Sequence, residues 1–186
     1  MIILASASPR RRELLEQIGC KFIFEPSSAK EVKHGLPAEV VKENALLKAG
    51  QIAAKHQNTW VIGADTVVVL GKEIYGKPVD AADADTMLKK LSGKMHRVYT
   101  GIALVYNDKI WQAFSTTEVE MADLSQEEIE RYTATGEPLD KAGSYAVQGK
   151  SAIFIKKIDG SYSNVVGLPL HQLYELCKRA GCKLIE

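Results

Sequence analysis

Residues 59–70, Thr-Trp-Val-Ile-Gly-Ala-Asp-Thr-Val-Val-Val-Leu, limit the possible folds more than any other stretch of this chain. The run is almost wholly apolar and rich in β-branched residues, the signature of a strand at the centre of a sheet. Asp65 sits in its middle. A carboxylate buried without a partner costs several kcal/mol or shifts its pKa, so Asp65 must meet a cation, a metal ion or hydrogen-bond donors. Asp65 and Thr66 are therefore a functional focus.

A second focus lies at the start of the chain, in Ile3-Leu4-Ala5-Ser6-Ala7-Ser8-Pro9-Arg10-Arg11-Arg12-Glu13-Leu14-Leu15. A short apolar run, suited to a buried strand, turns on two serines and enters a helix. Ser8 is placed as N-cap and Pro9 as the first helical residue, where its missing N–H costs nothing. Three arginines then occupy the first turn, although the dipole there favours anions. A helix start carrying guanidinium forks is stable when an anion neutralises it, and phosphate fits. The alternative, three solvated arginines on a surface helix, leaves the strand–turn–helix context unexplained.

Residues 37–56 read as a long helix on which Val41, Ala45, Lys48 and Ile52 share one stripe. Lys48 either snorkels to water or aims its ammonium at a phosphate. The polar loop between residues 27 and 35 holds Glu31, either a solvated side chain or a metal-binding carboxylate beside the anion site. Gly71-Lys72 marks a hairpin turn, Gly76-Lys77-Pro78 presents a further lysine, and Asp80 caps a helix running to about Leu91. The pattern from His96 to Met121 is β, and Ser125 with Glu128 forms a capping box. Residues 153–158 and 162–166 read as a hairpin across Asp159-Gly160, and a last helix starts at Pro169. Mixed strands and helices without a strict βαβ rhythm imply an α/β fold with a mixed sheet and flanking helices.

The 186 residues suit one domain spanning 1–186, with room for two lobes around a groove. Apolar residues make up 46% of the chain, enough for a core, and a formal net charge of +1 excludes nucleic-acid or membrane binding by bulk charge. Any anion site is local. No stretch approaches the ~20 apolar residues of a membrane span, and no signal peptide is recognisable. Cys20, Cys177 and Cys182 lack metal-ligand spacing and read as reduced thiols of a cytoplasmic protein. Gly149-Lys150-Ser151 imitates a phosphate-binding loop, but the motif needs glycine at position 144, where Ser144 stands. The four histidines are scattered, and His96 is expected at the surface. Ser8, Arg10, Arg11, Arg12, Lys48, Lys77, Asp65, Glu31 and Gln148 together describe a metal-dependent phosphate enzyme.

Five ordered segments resemble the Maf family of nucleoside triphosphate pyrophosphatases. They are the Ala5–Arg11 segment before Glu13-Leu14-Leu15, Gly63-Ala64-Asp65-Thr66-Val67-Val68, Gly76-Lys77-Pro78, the Asp140–Gly149 segment, and Val166-Gly167-Leu168-Pro169. The resemblance spans essentially the whole chain. It implies an inosine-triphosphate-pyrophosphatase-like fold with two lobes around a deep groove. It implies hydrolysis of a nucleoside triphosphate to the monophosphate and pyrophosphate with Mg²⁺ or Mn²⁺, by a cytoplasmic homodimer that cleanses the nucleotide pool. Asp65 matches the catalytic carboxylate, and Arg10, Thr66 and Gln148 match positions of substrate choice. Glu31 aligns across a gap with an acidic residue of the family's early loop, a metal ligand beside Asp65. Asp-Lys-Ala-Gly-x-Tyr-x-x-Gln-Gly looks like the branch acting on dTTP, UTP and modified uridine triphosphates, whereas a sister branch favours 7-methyl-GTP. The competing expectation is a non-catalytic nucleotide-binding regulator of cell division, which would not need the charge of Asp65.

Overall fold

The computed structural model describes residues 1–185. Its seven strands are β1 (Ile2–Leu4), β2 (Phe22–Phe24), β3 (Trp60–Leu70), β4 (Glu73–Tyr75), β5 (Met95–Tyr106), β6 (Lys109–Met121) and β7 (Ile155–Asp159). They form one sheet in the order β2-β1-β3-β5-β6-β7, with β4 paired to β3. β1 runs parallel to β2 and β3, and every other pairing is antiparallel. The helices are α1 (Pro9–Gln17), α2 (Pro37–Ala53), α3 (Ala81–Leu91), α4 (Gln126–Thr133), α5 (Tyr162–Val166) and α6 (Leu170–Ala180). The mixed α/β sheet with flanking helices is the architecture expected.

β3 is central, as its composition requires, and its two faces serve two cores. Val61, Val67 and Val69 pack towards α2 beside Val41, Ala45, Ala49 and Ile52. Ile62, Ala64 and Val68 face the larger core, which holds Leu15, Leu88, Ile129 and Leu173 from the remaining helices. Successive side chains of a strand alternate in direction, so Asp65 points towards α2 and Thr66 towards the opposite face. Glycine sets how closely α2 approaches. A Cβ on Gly63 would stand 2.1 Å from the Ala45 carbonyl oxygen, and one on Gly101 would stand 2.3 Å from the Val41 carbonyl. Gly101 pairs directly with Asp65 in the ladder. Helix backbone therefore lies almost on the sheet beside the carboxylate.

The outer edge of β3 is divided between two short partners. β1 covers it up to the Leu4–Ile62 pair, and β4 resumes at the Val68–Tyr75 pair. Residues 63–67 lie in the gap, so both Asp65 and Thr66 flank an opening in the sheet where one edge of β3 has no strand partner.

Local signals account for several element ends. Asp80 accepts the Asp83 N–H at the start of α3, and Ser125 and Glu128 complete the capping box of α4. Gly71, with φ 61°, turns β3 into β4. The hairpin expected across Asp159-Gly160 does not form. β7 pairs with β6, and residues 162–166 are helix α5, entered through Ser161, whose hydroxyl accepts the Asn164 N–H. The fully buried Asn164 decides this, because its amide donates to the Val98 carbonyl at 3.0 Å and to the Thr117 hydroxyl at 2.9 Å. A strand there would withdraw both donors from the core. The three cysteines are free and buried, and among the described residues no helix is long and apolar enough to cross a membrane.

Candidate active site

The opening beside β3 is the floor of a groove of about 900 Å³, within the range of roughly 300–1,000 Å³ usual for small-molecule sites. Of the residues singled out in the sequence, all but Arg12 line it: Ser8, Arg10, Arg11, Glu31, Lys48, Asp65, Thr66, Lys77 and Gln148. Lys72 and Lys141 join them.

Asp65 meets two donors from α2. The Lys48 Nζ lies 2.6 Å from its Oδ1, and the Asn44 Nδ2 lies 3.0 Å from its Oδ2. Residues 44 and 48 are one turn apart on the same helix face, which is why both reach one carboxylate. Asn44, unremarked in the sequence, has a second task. Its side chain accepts the Val32 N–H at 2.7 Å and donates to the Val32 carbonyl at 2.9 Å. That pair of bonds ties the polar loop to α2 and delivers Glu31, whose carboxylate lies 2.6 Å from the same Lys48 Nζ. Lys48 thus does not snorkel to bulk water; it joins two carboxylates that line the groove with it. Partial burial works to raise the Glu31 carboxyl, but Lys48, with Lys77 and Arg11 farther off, outweighs this and holds it below the usual carboxylate range.

The three arginines have three different tasks. Arg10 donates to the Asp140 carboxylate at 3.1 Å and to its carbonyl at 3.3 Å, linking α1 to the loop that follows α4. Arg11 turns inward and donates to the Gly167 carbonyl at 2.7 Å, the Ala64 carbonyl at 2.9 Å, the Thr66 hydroxyl at 3.0 Å and the Ser6 hydroxyl at 3.3 Å. The Ala64 carbonyl belongs to the uncovered edge of β3, so Arg11 supplies a donor that no neighbouring strand provides. Arg12 leaves the groove and lies over the Phe24 ring at 4.3 Å. Ser8 occupies the N-cap position of α1 without a side-chain capping bond, and its own N–H donates to the Ser6 hydroxyl.

Thr66 is similarly committed. The Thr100 hydroxyl donates to the Asn164 carbonyl at 2.9 Å, so across the 3.0 Å contact between the two threonines Thr66 is the donor. With Arg11 on one lone pair, Thr66 retains a single acceptor site for a ligand. Among the described residues Lys77 appears in no ion pair. Lys141 donates to the Asp140 carboxylate at 2.7 Å and the Glu137 carbonyl at 2.6 Å.

His96 contradicts its surface expectation. It is 3% exposed, on β5, and its Nε2 lies 2.6 Å from the hydroxyl of Tyr145, a residue of the groove wall. Burial pushes its imidazole down to about 4, only partly offset by the Lys94 carbonyl. The alternation of β5 would have shown this: His96 falls in register with Val98, Thr100 and Ile102, all inward-facing.

No group of three His, Cys, Asp or Glu side chains converges among the described residues. The two carboxylates that meet at Lys48 nevertheless suit a hard divalent cation such as Mg²⁺, which is commonly held by one or two carboxylates and completes its shell with substrate phosphates and water.

Residues 1–180 match the family described as Maf-like protein. The chain belongs to the Maf-like family. Similar Maf-like relatives include a protein of Dictyoglomus thermophilum named dTTP/UTP pyrophosphatase, 47% identical over 99% of this chain and 98% of the relative. A dTTP/UTP pyrophosphatase of Bacillus cytotoxicus is 49% identical over 95% of this chain and 94% of its own. Among solved structures, the Ham1 protein of Staphylococcus aureus aligns with 96% of the Maf-like chain and 98% of its own at a TM-score of 0.56. At 17% identity that likeness concerns the fold alone. It agrees with the inosine-triphosphate-pyrophosphatase-like architecture expected.

Proposed function

We propose that this chain hydrolyses dTTP and UTP, and related modified uridine triphosphates, to the nucleoside monophosphate and pyrophosphate, clearing them from the nucleotide pool. The observation that carries the reading is the cluster of Asp65, Glu31 and Lys48, two carboxylates on one ammonium, in a groove that also presents Arg10, Lys72 and Lys77. The relatives named dTTP/UTP pyrophosphatase support the substrate class.

The chemistry follows from these groups. Arg10, Lys77 and Lys48 bind the polyphosphate and offset the charge that grows on the leaving pyrophosphate. Asp65 accepts a proton from a water that attacks the α-phosphorus in line. The new P–O bond forms as the bond to the β-phosphate oxygen breaks, and pyrophosphate carries away the electron pair. Asn44, donating to the other oxygen of Asp65, keeps the carboxylate aimed. Asp65 and Glu31 would hold Mg²⁺ or Mn²⁺, which as a Lewis acid withdraws charge from the phosphoryl oxygens. The Gln148 carboxamide, both donor and acceptor, suits the imide edge of uracil or thymine, and the remaining acceptor site of Thr66 supplements it. Reduced, buried thiols accord with a cytoplasmic setting. The open edge of β2, with Ile23 and Phe24 about half exposed, offers a face for a homodimer.

The test is product analysis with UTP, dTTP, GTP and 7-methyl-GTP, with Mg²⁺, with Mn²⁺ and with chelator. Metal-dependent pyrophosphate together with UMP or dTMP is expected. Turnover of the guanine nucleotides alone would overturn the pyrimidine assignment. Tight binding without any product would instead establish a regulator.

A further inference from the structure

Gly149-Lys150-Ser151 is not a phosphate loop, yet its serine is fully buried and saturated with hydrogen bonds. The Ser151 hydroxyl donates to the Ala146 carbonyl at 2.8 Å, accepts the Ala146 N–H at 2.9 Å and accepts the Tyr132 hydroxyl at 3.0 Å. One donor and two acceptor sites are all that a hydroxyl has. Residues 145–149 belong to no helix or strand, so this side chain stands in for a backbone ladder.

The surroundings repeat the theme. Gly149 takes φ 75°, and a Cβ there would stand 2.7 Å from the Glu137 carboxylate. That carboxylate accepts the Lys150 N–H at 3.1 Å. At the other end of the segment, His96 Nε2 meets the Tyr145 hydroxyl. Tyr145, Ala146, Val147 and Gln148 all line the groove, whereas His96, Tyr132 and Ser151 do not. The segment is thus gripped from behind by groups that a substrate in the groove does not touch.

We propose that Ser151 and His96 are positioning residues: they fix the 145–148 segment against the core, and so set the selectivity that Gln148 exerts on the nucleotide base. The inference rests on the reading that Gln148 recognises that base. A carboxamide distinguishes the 4-carbonyl of uracil from the 4-amino group of cytosine only if its orientation is held. Displacing such a group by about 1 Å can cost as much as 100-fold. Loosening the segment should therefore erode discrimination more than turnover.

The experiment measures kcat and KM for UTP and CTP on the full chain. Four single variants are compared, Ser151→Ala, His96→Leu, His96→Gln and Gln148→Ala, with folding checked by urea denaturation. Ser151→Ala and His96→Leu should each lower the UTP-to-CTP ratio of kcat/KM by about tenfold or more, chiefly through KM for UTP. His96→Gln, which still offers a polar atom near the Tyr145 hydroxyl, should retain most of the ratio. If Ser151→Ala does not fold, Tyr132→Phe removes a single hydroxyl from the same network and takes its place. Equal losses for both nucleotides, or an unchanged ratio where Gln148→Ala collapses it, would overturn the inference. A ratio unchanged in Gln148→Ala itself would instead overturn the base-reading assignment beneath it.

Discussion

The burial of His96 makes the stability of the fold depend on pH in a calculable way. The imidazole titrates near 6.5 when exposed but is pushed down to about 4 in the folded chain, chiefly by burial. Between those values the unfolded chain binds more protons than the folded one, so stability rises with pH. The contribution is fully present above about pH 6.5 and is lost as pH falls towards 4. At about 1.4 kcal/mol for each tenfold change in proton concentration, the difference between pH 7 and pH 4 is about 3 kcal/mol. For a chain of this size that corresponds to a melting temperature lower by about 6–12 °C. Carboxylates such as Glu31 and Asp140, held below their usual range, add acid lability of their own. Comparison of wild type with His96→Gln removes that background, since glutamine does not titrate. Thermal denaturation at half-unit steps from pH 4 to 7.5 should show the two curves converging as pH falls. Parallel curves would mean that His96 exchanges its proton in the folded state as it does in water, and the burial argument would be wrong.

Two further outcomes follow from the site and the sheet. Asp65→Asn keeps the size of the side chain but removes the proposed base, and should lower pyrophosphate release from UTP by about 100- to 10,000-fold with far-ultraviolet circular dichroism unchanged; activity within tenfold of wild type would sink the assignment. Gly63→Ala places a methyl group against the backbone of α2 and should destabilise the fold by about 1–3 kcal/mol. It should also reduce activity, because α2 carries Asn44 and Lys48. Gly50→Ala is the control on the same helix: a Cβ there meets nothing within 4 Å, and the change should stabilise by about 0.5–1 kcal/mol in urea denaturation.

Apart from Thr66 and Gln148, whose roles the family resemblance supplies, the parts of the site most legible in the sequence are those where a residue conflicts with its surroundings. Asp65 interrupts an apolar strand, Lys48 an apolar helix stripe, and the arginines a helix start. Each conflict is local, so spacing alone exposes it. Asn44 creates no such conflict, because asparagine is unremarkable on a helix. Its significance appears only when Val32 and Asp65, 12 and 21 residues away, arrive on either side of it. The hairpin expected near residue 160 fails for a related reason. Short apolar runs do not distinguish strand from helix, and the arbiter is the set of buried partners that Asn164 finds on β5 and β6.

The same distinction separates the arginines by their partners in the protein. All three look alike as charges in one helical turn, yet only the unfinished edge of β3 makes Arg11 a substitute for a missing strand, while Arg10 meets Asp140 across the groove. The gap between β1 and β4 arises from strand lengths and register, properties of the assembled sheet. Sheet topology therefore determines what each cation can offer a ligand: Arg11 has most of its donors engaged by protein. Arg10 and Lys48 are held by carboxylates that an incoming polyphosphate or cation can displace.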